Sequence, residues 1–109
     1  MANTFKLKTK ANVGVTTVGI YTATSPVTAS VVIGVTMANT SGSSINVGVG
    51  VTRASTDNVN LIKNVPIPQG SSFEFMGGNK VVLETTDTFT AVSDVNNSLD
   101  VALTIMEIT

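Results

Sequence analysis

Three segments of this 109-residue chain carry an apolar side chain at every second position. Successive side chains of a β-strand point to opposite faces, so this alternation predicts strands with one buried face. Between the first and second segments lies a turn-forming run at residues 39–44, and we predict that these two segments pair as a hairpin. The alternating residues are Val27, Ala29, Val31, Ile33, Val35 and Met37; then Ile45, Val47, Val49 and Val51; and finally Leu99, Val101, Leu103 and Ile105.

The composition agrees with strands rather than helices. The chain contains 17 Val, 17 Thr and 7 Ile, and these β-branched side chains suit a pleated surface and lose rotamer freedom in a helix. Charged residues make up 12% of the sequence and hydrophobic residues 42%, a balance that excludes a disordered polyelectrolyte. The chain length allows one domain.

Shorter strands are predicted at residues 59–65, 72–76, 81–84 and 89–93. Residues 13–22 change their apolar phase midway, which we interpret as one strand with a β-bulge. Pro66 and Pro68 lack N–H donors, so they place the end of the 59–65 strand in a turn or at a sheet edge. About eight short strands with frequent turns predict an all-β fold, a single antiparallel β-sandwich that is jelly-roll-like.

The N-terminal segment is locally basic. Lys6, Lys8 and Lys10 alternate with Phe5 and Leu7, so we divide the chain into a basic N-terminal arm or edge strand at residues 1–12 and a β-sandwich domain at residues 13–109. The lysines either protect a solvated edge strand against edge-to-edge pairing or belong to an arm that reaches an acidic partner. Because unpacked termini contribute little stability, we expect the fold to survive removal of residues 1–12. The candidate partner-contact residues are Phe5, Lys6, Leu7, Lys8, Lys10 and Arg53.

The residue types on which most enzymes depend are scarce. The chain has no His and no Cys, which removes the commonest general base and the thiolate nucleophile and metal ligand. Asp94 and Asp100 span a segment that superficially resembles a calcium loop. However, Leu99 stands where that loop needs Gly, and Ile105 where it needs a bidentate Glu. We therefore expect no enzymatic activity, no catalytic residue, no cofactor and no metal site.

The charge balance bears on partners. The formal net charge is −1, and six Lys and Arg residues cannot form the broad basic face that nucleic-acid binding requires. No stretch approaches the ~18 uninterrupted apolar residues of a membrane-spanning helix. We expect neither a nucleic-acid partner nor a membrane partner.

Four motifs in residues 35–108 carry a resemblance to a known family. They are Val-Thr-Met-Ala-Asn-Thr-Ser-Gly-Ser at 35–43, Ile-Lys-Asn-Val-Pro-Ile-Pro-Gln-Gly-Ser-Ser at 62–72, Gly-Gly-Asn-Lys-Val-Val-Leu-Glu at 77–84, and Leu-Asp-Val-Ala-Leu-Thr-Ile-Met-Glu-Ile at 99–108. With the strands between them, they resemble small virion structural proteins of tailed bacteriophages, especially phages of cyanobacteria and marine bacteria.

The resemblance implies a β-sandwich that serves as a decoration, minor capsid or tail-associated subunit. Our first hypothesis is a capsid decoration (cement) protein. It would bind the outer capsid surface of the virion, stabilise contacts between subunits of the major capsid protein, and form a homo-oligomer, either a dimer or a trimer. The alternative is a phage tail, neck or fibre subunit. A third hypothesis is a carbohydrate-binding adhesion module. Sugar-binding platforms are usually aromatic, and this chain has only Tyr21 and four Phe.

Overall fold

A computed structural model describes residues 3–24, 27, 29–53, 57–75 and 81–109. This part of the chain contains nine strands and no helix, so the all-β prediction is confirmed. The strands are β1 (Asn3–Val13), β2 (Val18–Thr22), β3 (Ala29–Asn39), β4 (Ile45–Thr52), β5 (Asn58–Ile67), β6 (Ser72–Phe75), β7 (Val81–Glu84), β8 (Thr88–Ser93) and β9 (Leu99–Ile108).

The strands form two antiparallel sheets packed as a sandwich. Sheet I has the order β1-β9-β3, with β6 and β7 both on the far side of β3, and sheet II has the order β2-β8-β4-β5. Four nested pairings, β4 with β5, β3 with β6 and β7, β2 with β8, and β1 with β9, describe one long hairpin rolled into two sheets. This is the jelly-roll arrangement, and the predicted antiparallel sandwich is confirmed.

The ninth strand arises because β6 and β7 share one position in sheet I. β6 pairs with residues 35–38 of β3 and β7 with residues 29–32. The sequence prediction of about eight strands therefore corresponds to eight positions in the two sheets.

The predicted hairpin between the first two alternating segments is wrong. These segments form β3 and β4, which lie in different sheets, so residues 40–44 cross from sheet I to sheet II. The buried side chain of Asn39 organises the crossing: its Nδ2 donates to the carbonyl oxygens of Ser43 (2.8 Å) and Ile67 (2.9 Å), and its Oδ1 accepts from the backbone N–H of Ser41 (2.9 Å). Period-two alternation identifies a strand with one buried face but does not identify the strand it pairs with.

The core lies between the inner faces of the two sheets. The predicted inward residues of β4 and β9 are all buried, as is Phe89 of β8. The largest fully buried side chains are Phe89, Met37, Ile45, Ile67, Leu83, Leu99, Leu103 and Ile105.

A β-bulge in β3 overturns part of the predicted core. The register between β3 and β9 shifts between Val32 and Gly34, and a bulge of this kind changes which face a side chain occupies. Val35 is buried as predicted, whereas on the other side of the bulge Val32 is buried in place of Val31. Because Val31 and Val32 are both apolar, the sequence pattern conceals the change of face.

The predicted single strand at residues 13–22 is also wrong. β1 ends at Val13 in sheet I, and β2 begins at Val18 in sheet II. The phase change in the sequence marks this passage between sheets. Pro66 lies within β5, the edge strand of sheet II, which confirms the predicted sheet edge.

Candidate interaction surfaces

The basic N-terminal segment forms β1, an edge strand of sheet I that pairs with β9 along most of its length. Lys6 lies opposite Ile105 and Lys8 opposite Leu103, and both of these partners are buried core residues. Directly opposed residues of an antiparallel pair share a face. The lysines of β1 therefore lie on the inner side of sheet I, at its margin.

Lys6 and Lys8 join a polar cluster at this margin. Lys6 Nζ lies 3.5 Å from Glu107 Oε1, and Lys8 Nζ lies 5.8 Å from the centre of the Tyr21 ring, within cation–π range. The Tyr21 hydroxyl donates to Glu107 Oε2 at 2.6 Å and lies 2.7 Å from Ser30 Oγ. This cluster connects β1 with β9, β2 and β3.

The cluster shifts the titration of two of its members. Burial, and then the hydrogen bond to Glu107, raise the pKa of Tyr21 to about 12. The same hydrogen bond lowers the pKa of Glu107 below its ordinary value, and the Lys6 charge acts in the same direction. Because Tyr21 is buried, it cannot serve as an exposed platform for a sugar. The tyrosine therefore gives no support to the carbohydrate-binding hypothesis.

Arg53 follows β4, far from the lysines. Its Nε donates to Asp87 Oδ1 at 3.2 Å, and its Nη2 forms an ion pair with Glu84 Oε1. The hydrogen bond to Asp87, and then the Asp87 charge, raise the pKa of Arg53. Glu84 belongs to β7, at the opposite side of sheet I from β1. The structure therefore keeps the predicted contact residues of β1 together on one strand and places Arg53 apart from them, bridging sheet II to β7.

Phe5 and Leu7 lie on the outer face of sheet I. Their exposed fractions are 69% and 63%. In a sheet with one buried face, apolar residues usually occupy the inner face and charged residues the outer one. On β1 this arrangement is reversed.

A row of apolar side chains crosses the outer face of sheet I. Phe5 of β1 lies opposite Met106 of β9, Met106 opposite Val31 of β3, and Val31 opposite Val82 of β7. We call these four residues the apolar row. Val82 is 56% exposed, and Met106 and Val31 are half-buried. The sequence analysis did not identify Met106, Val31 and Val82 as surface residues. Met106 was a recognisable signal, because it is an apolar residue among the outward-facing positions of β9.

Small side chains, together with Asp100, cover the other end of the same face. A shallow depression of about 270 Å³ is lined there by Thr9, Ala11, Thr36, Ala38 and Ala102, among others. Bulky apolar side chains are therefore concentrated at one end of the outer face of sheet I.

The outer face of sheet II has a different chemistry. Thr22, Thr88, Thr52 and Asn58 lie directly opposite one another across its four strands, and the hydroxyls of Thr22 and Thr88 are 2.8 Å apart. The next row includes Gly50, where an added Cβ would lie 2.5 Å from the carbonyl oxygen of Val59. The row of three threonines and one asparagine is neutral and polar, and the main chain of β5 lies directly against Gly50.

Among the residues that the structure describes, no group of three or more His, Cys, Asp or Glu side chains is arranged to hold a metal ion. The same part of the chain contains no helix of the length and apolarity that crossing a membrane requires.

Comparison with known proteins reveals similarity at the level of the fold. No protein-family model and no curated protein matches the sequence. A chain from the acidic stable capsid structure of the Helicobacter pylori bacteriophage KHP30 matches with TM-score 0.60 and 10% identity, over 99% of this chain and 89% of that chain. A chain from Bacillus endospore appendages, a family of disulfide-linked pili, matches with TM-score 0.58 and 13% identity, over 97% of this chain and 86% of the other. At these identities the chain shares a β-sandwich fold with subunits of two assemblies.

Proposed function

We propose that this protein is a structural subunit of a virion, and more specifically a capsid decoration protein of a tailed bacteriophage. The observation that carries the proposal is the match over almost the whole chain to a chain from a bacteriophage capsid structure. In this role the protein binds the outer surface of the shell and stabilises contacts between major capsid subunits.

The surface chemistry supports an assembly role. A decoration subunit needs a rigid module with a face that another protein can cover. The two antiparallel sheets supply the module, and Phe5 and Leu7 present large apolar side chains to solvent. Apolar side chains grouped on one face are typical of protein–protein contact sites.

We propose Phe5, Lys6, Leu7, Lys8, Lys10 and Arg53 as partner-contact residues. The proposed partners are the major capsid protein and, since the subunit is proposed to be a homo-oligomer, a second copy of this chain. On β1, the exposed Lys10 is a suitable cation for an acidic shell surface, because Lys6 and Lys8 already contact Glu107 and Tyr21.

A tail, neck or fibre subunit is the second candidate, and the similarity to a chain from endospore appendages favours it. Both candidates use a β-sandwich as a building block, but they differ in copy number. Shell decoration predicts hundreds of copies per particle, whereas a tail or fibre part predicts a handful.

Quantitative mass spectrometry of the parent virion, combined with cryo-electron microscopy, tests the proposal. We expect hundreds of copies and density for the sandwich on the outside of the shell. A handful of copies located at the tail would establish the second candidate. Absence of the protein from the purified particle would reject both.

A binding experiment tests the contribution of β1. Lys10→Glu reverses an exposed charge on β1, and Lys63→Glu makes the same change at an exposed position of β5. We expect Lys10→Glu to weaken binding to shells that lack the protein by about tenfold, because opposed charges across an interface affect association strongly. Lys63→Glu should bind as the wild type does. Equal effects of the two variants would show that β1 does not contribute to the contact.

A further inference from the structure

We infer that the outer face of sheet I is a self-association surface, on which a second copy of this chain docks face to face through the apolar row. This inference does not depend on shell binding, because it concerns the purified chain alone. It rests on the exposure of the row, its charge, the area of the face, and the barrier to pairing along β1.

The exposure of the apolar row calls for a covering partner. Phe5 and Val82, at its two ends, are 69% and 56% exposed. Leu7 lies two residues from Phe5 on the same face, and Ile108 lies two residues from Met106. Soluble monomers rarely expose contiguous apolar patches of more than a few hundred Å².

The charge of the row favours a second copy over a charged partner. All four of its side chains are uncharged, so two copies can meet along the row without opposing like charges. Asp100 and Glu74 lie at the other end of the face, opposite Ala38 and Thr36. Among the described residues that pair across these strands, Glu84 is the nearest acidic residue on this face, opposite Ala29, and its charge is already bound by Arg53.

The area of the face matches that of a stable dimer. The face is four strands wide where β6 or β7 pairs with β3, and β1 is 11 residues long. With strand spacings of about 4.8 Å and a rise of about 3.4 Å per residue, one copy presents about 700 Å². Standard interfaces bury roughly 800 Å² on each partner.

The competing contact, pairing along the edge of β1, is disfavoured by its lysines. Joining two β1 strands edge to edge in antiparallel fashion would bring the lysine side of one strand next to the lysine side of the other. Like charges directly opposite each other destabilise a strand pair, and inward-pointing charges protect natural sheet edges. Face-to-face packing leaves Lys6 and Lys8 with Glu107 and Tyr21.

The row also suggests how the two copies are oriented. A two-fold axis parallel to the strands, between β9 and β3, places Phe5 of each copy over Val82 of the other and Met106 over Val31. Large side chains then meet small ones, as good packing between two sheets requires.

Sedimentation equilibrium of the full chain tests the inference with a matched pair of valines. Val82 in the row is 56% exposed, and Val15, in the connection between β1 and β2, is 55% exposed. We expect the wild type to form a dimer of twice 11.2 kDa. Phe5→Glu and Val82→Glu should each raise the dissociation constant at least about 100-fold, because two like charges would face an apolar surface. Val15→Glu should leave the dissociation constant unchanged.

Thermal unfolding of each variant, monitored by circular dichroism at a concentration where all are monomeric, separates folding from association. Retained folding with lost association supports the inference. A wild type that stays monomeric up to millimolar concentration overturns it, even if Phe5→Glu still impairs shell binding, because the face would then serve another protein. An oligomer that responds equally to Val15→Glu and Val82→Glu also overturns it.

The absence of cysteine allows a clean test of the orientation. Phe5→Cys and Val82→Cys are purified separately, mixed, and treated with a short bifunctional maleimide. The proposed axis predicts cross-linking between the two variants in preference to cross-linking of either with itself. Preferential linkage of Phe5→Cys to itself would overturn this orientation.

Discussion

On the outer face of each sheet one row of side chains crosses four strands, and the two rows have opposite chemistry, although both are built largely from β-branched residues. Across sheet I, Val31 and Val82 lie in line with Phe5 and Met106. Across sheet II, the corresponding line consists of threonines and one asparagine. Valine and threonine have nearly the same shape and both favour strands, so they are equivalent for making a sheet. They differ in their affinity for water, and this difference separates a face suited to docking from one suited to solvent.

The faces also differ in their glycines. Gly50 of sheet II sits so close to β5 that a side chain would collide with the backbone. At Gly34, next to the bulge in sheet I, no atom of the described residues lies within 4 Å of an added Cβ. Sheet II is therefore tightly constrained at Gly50 by its own main chain, whereas the described residues place no such constraint on Gly34.

The largest effect is expected from removing residues 1–12. The sequence alone suggested a dispensable segment, but β1 pairs with β9 and its lysines contact Glu107 and Tyr21. Deletion would narrow sheet I by one strand, remove Phe5 and Leu7, and leave β9 as an edge. We now expect a loss of more than about 3 kcal/mol of unfolding free energy, a large part of the total for a small domain. Urea denaturation measures it, and an unchanged midpoint would show that β1 is dispensable after all.

The next largest effect is expected from substituting the two glycines. Gly50→Ala forces a Cβ to within 2.5 Å of the Val59 carbonyl oxygen, so β5 must move, and overpacking of this kind costs about 1–3 kcal/mol. Gly34→Ala meets no atom of the described residues within 4 Å and should be neutral or slightly stabilising, because alanine restricts the unfolded chain. Urea denaturation of both variants gives the difference, and equal destabilisation would contradict the asymmetry between the sheets.

An exchange between valine and threonine tests the faces directly. Val82→Thr keeps the shape of the side chain and adds a hydroxyl to the apolar row, so folding should change by less than about 0.5 kcal/mol. Self-association should weaken about fivefold, the equivalent of about 1 kcal/mol. Thr52→Val on sheet II, at another exposed strand position, serves as the control and should leave the dimer constant unchanged. Analytical ultracentrifugation measures both variants.

The smallest effect concerns the cluster on the inner side of β1. The folded-state pKa of Glu107 lies below its ordinary value, so its contribution is present above the unfolded pKa, about 4.3, and is lost as the pH falls through the folded value. Glu107→Gln should therefore unfold at a lower temperature at pH 7 but show a weaker decline in melting temperature below about pH 4.5.

Tyr21 gives the opposite dependence at high pH. Its pKa is raised to about 12, so its contribution is present below the ordinary value of about 10 and is lost as the pH rises towards 12. Tyr21→Phe should reduce the decline of the melting temperature at alkaline pH. At acid pH it should change the melting-temperature profile less than Glu107→Gln does. Melting temperatures measured from pH 3 to pH 11 distinguish the two, and parallel profiles for wild type and both variants would contradict the coupling.

Much of the fold could be predicted from local patterns. The alternation in β4 and β9 identified their buried residues, and Pro66 indicated a sheet edge, because a missing N–H donor is a local property of one residue. The pairing of β3 could not be predicted in this way. Its apolar phase is equally compatible with a hairpin to β4 and with a place in the other sheet, and Val31 and Val32 hid the bulge that changes the inward face.

The candidate surface was predicted only in part. Phe5 and Leu7 were recognised on β1, but their partners in the apolar row lie on three other strands. Which residues lie opposite one another across a sheet depends on the register between segments far apart in the chain. A local sequence pattern contains no information on that register. The separation of Arg53 from the lysines has the same cause, because it follows from where β4 and β1 fall in the two sheets.

The sequence by itself determined that this chain forms antiparallel strands with a valine-rich interior, because β-branched alternation and scarce charge leave little else that can bury enough apolar surface. Only the tertiary structure decided which outward side chains meet. The nested pairing of the strands and the bulge in β3 place Phe5, Met106, Val31 and Val82 in one line and turn the lysines of β1 inward. The physical reason is that a one-residue change of register moves a side chain from one face of a sheet to the other.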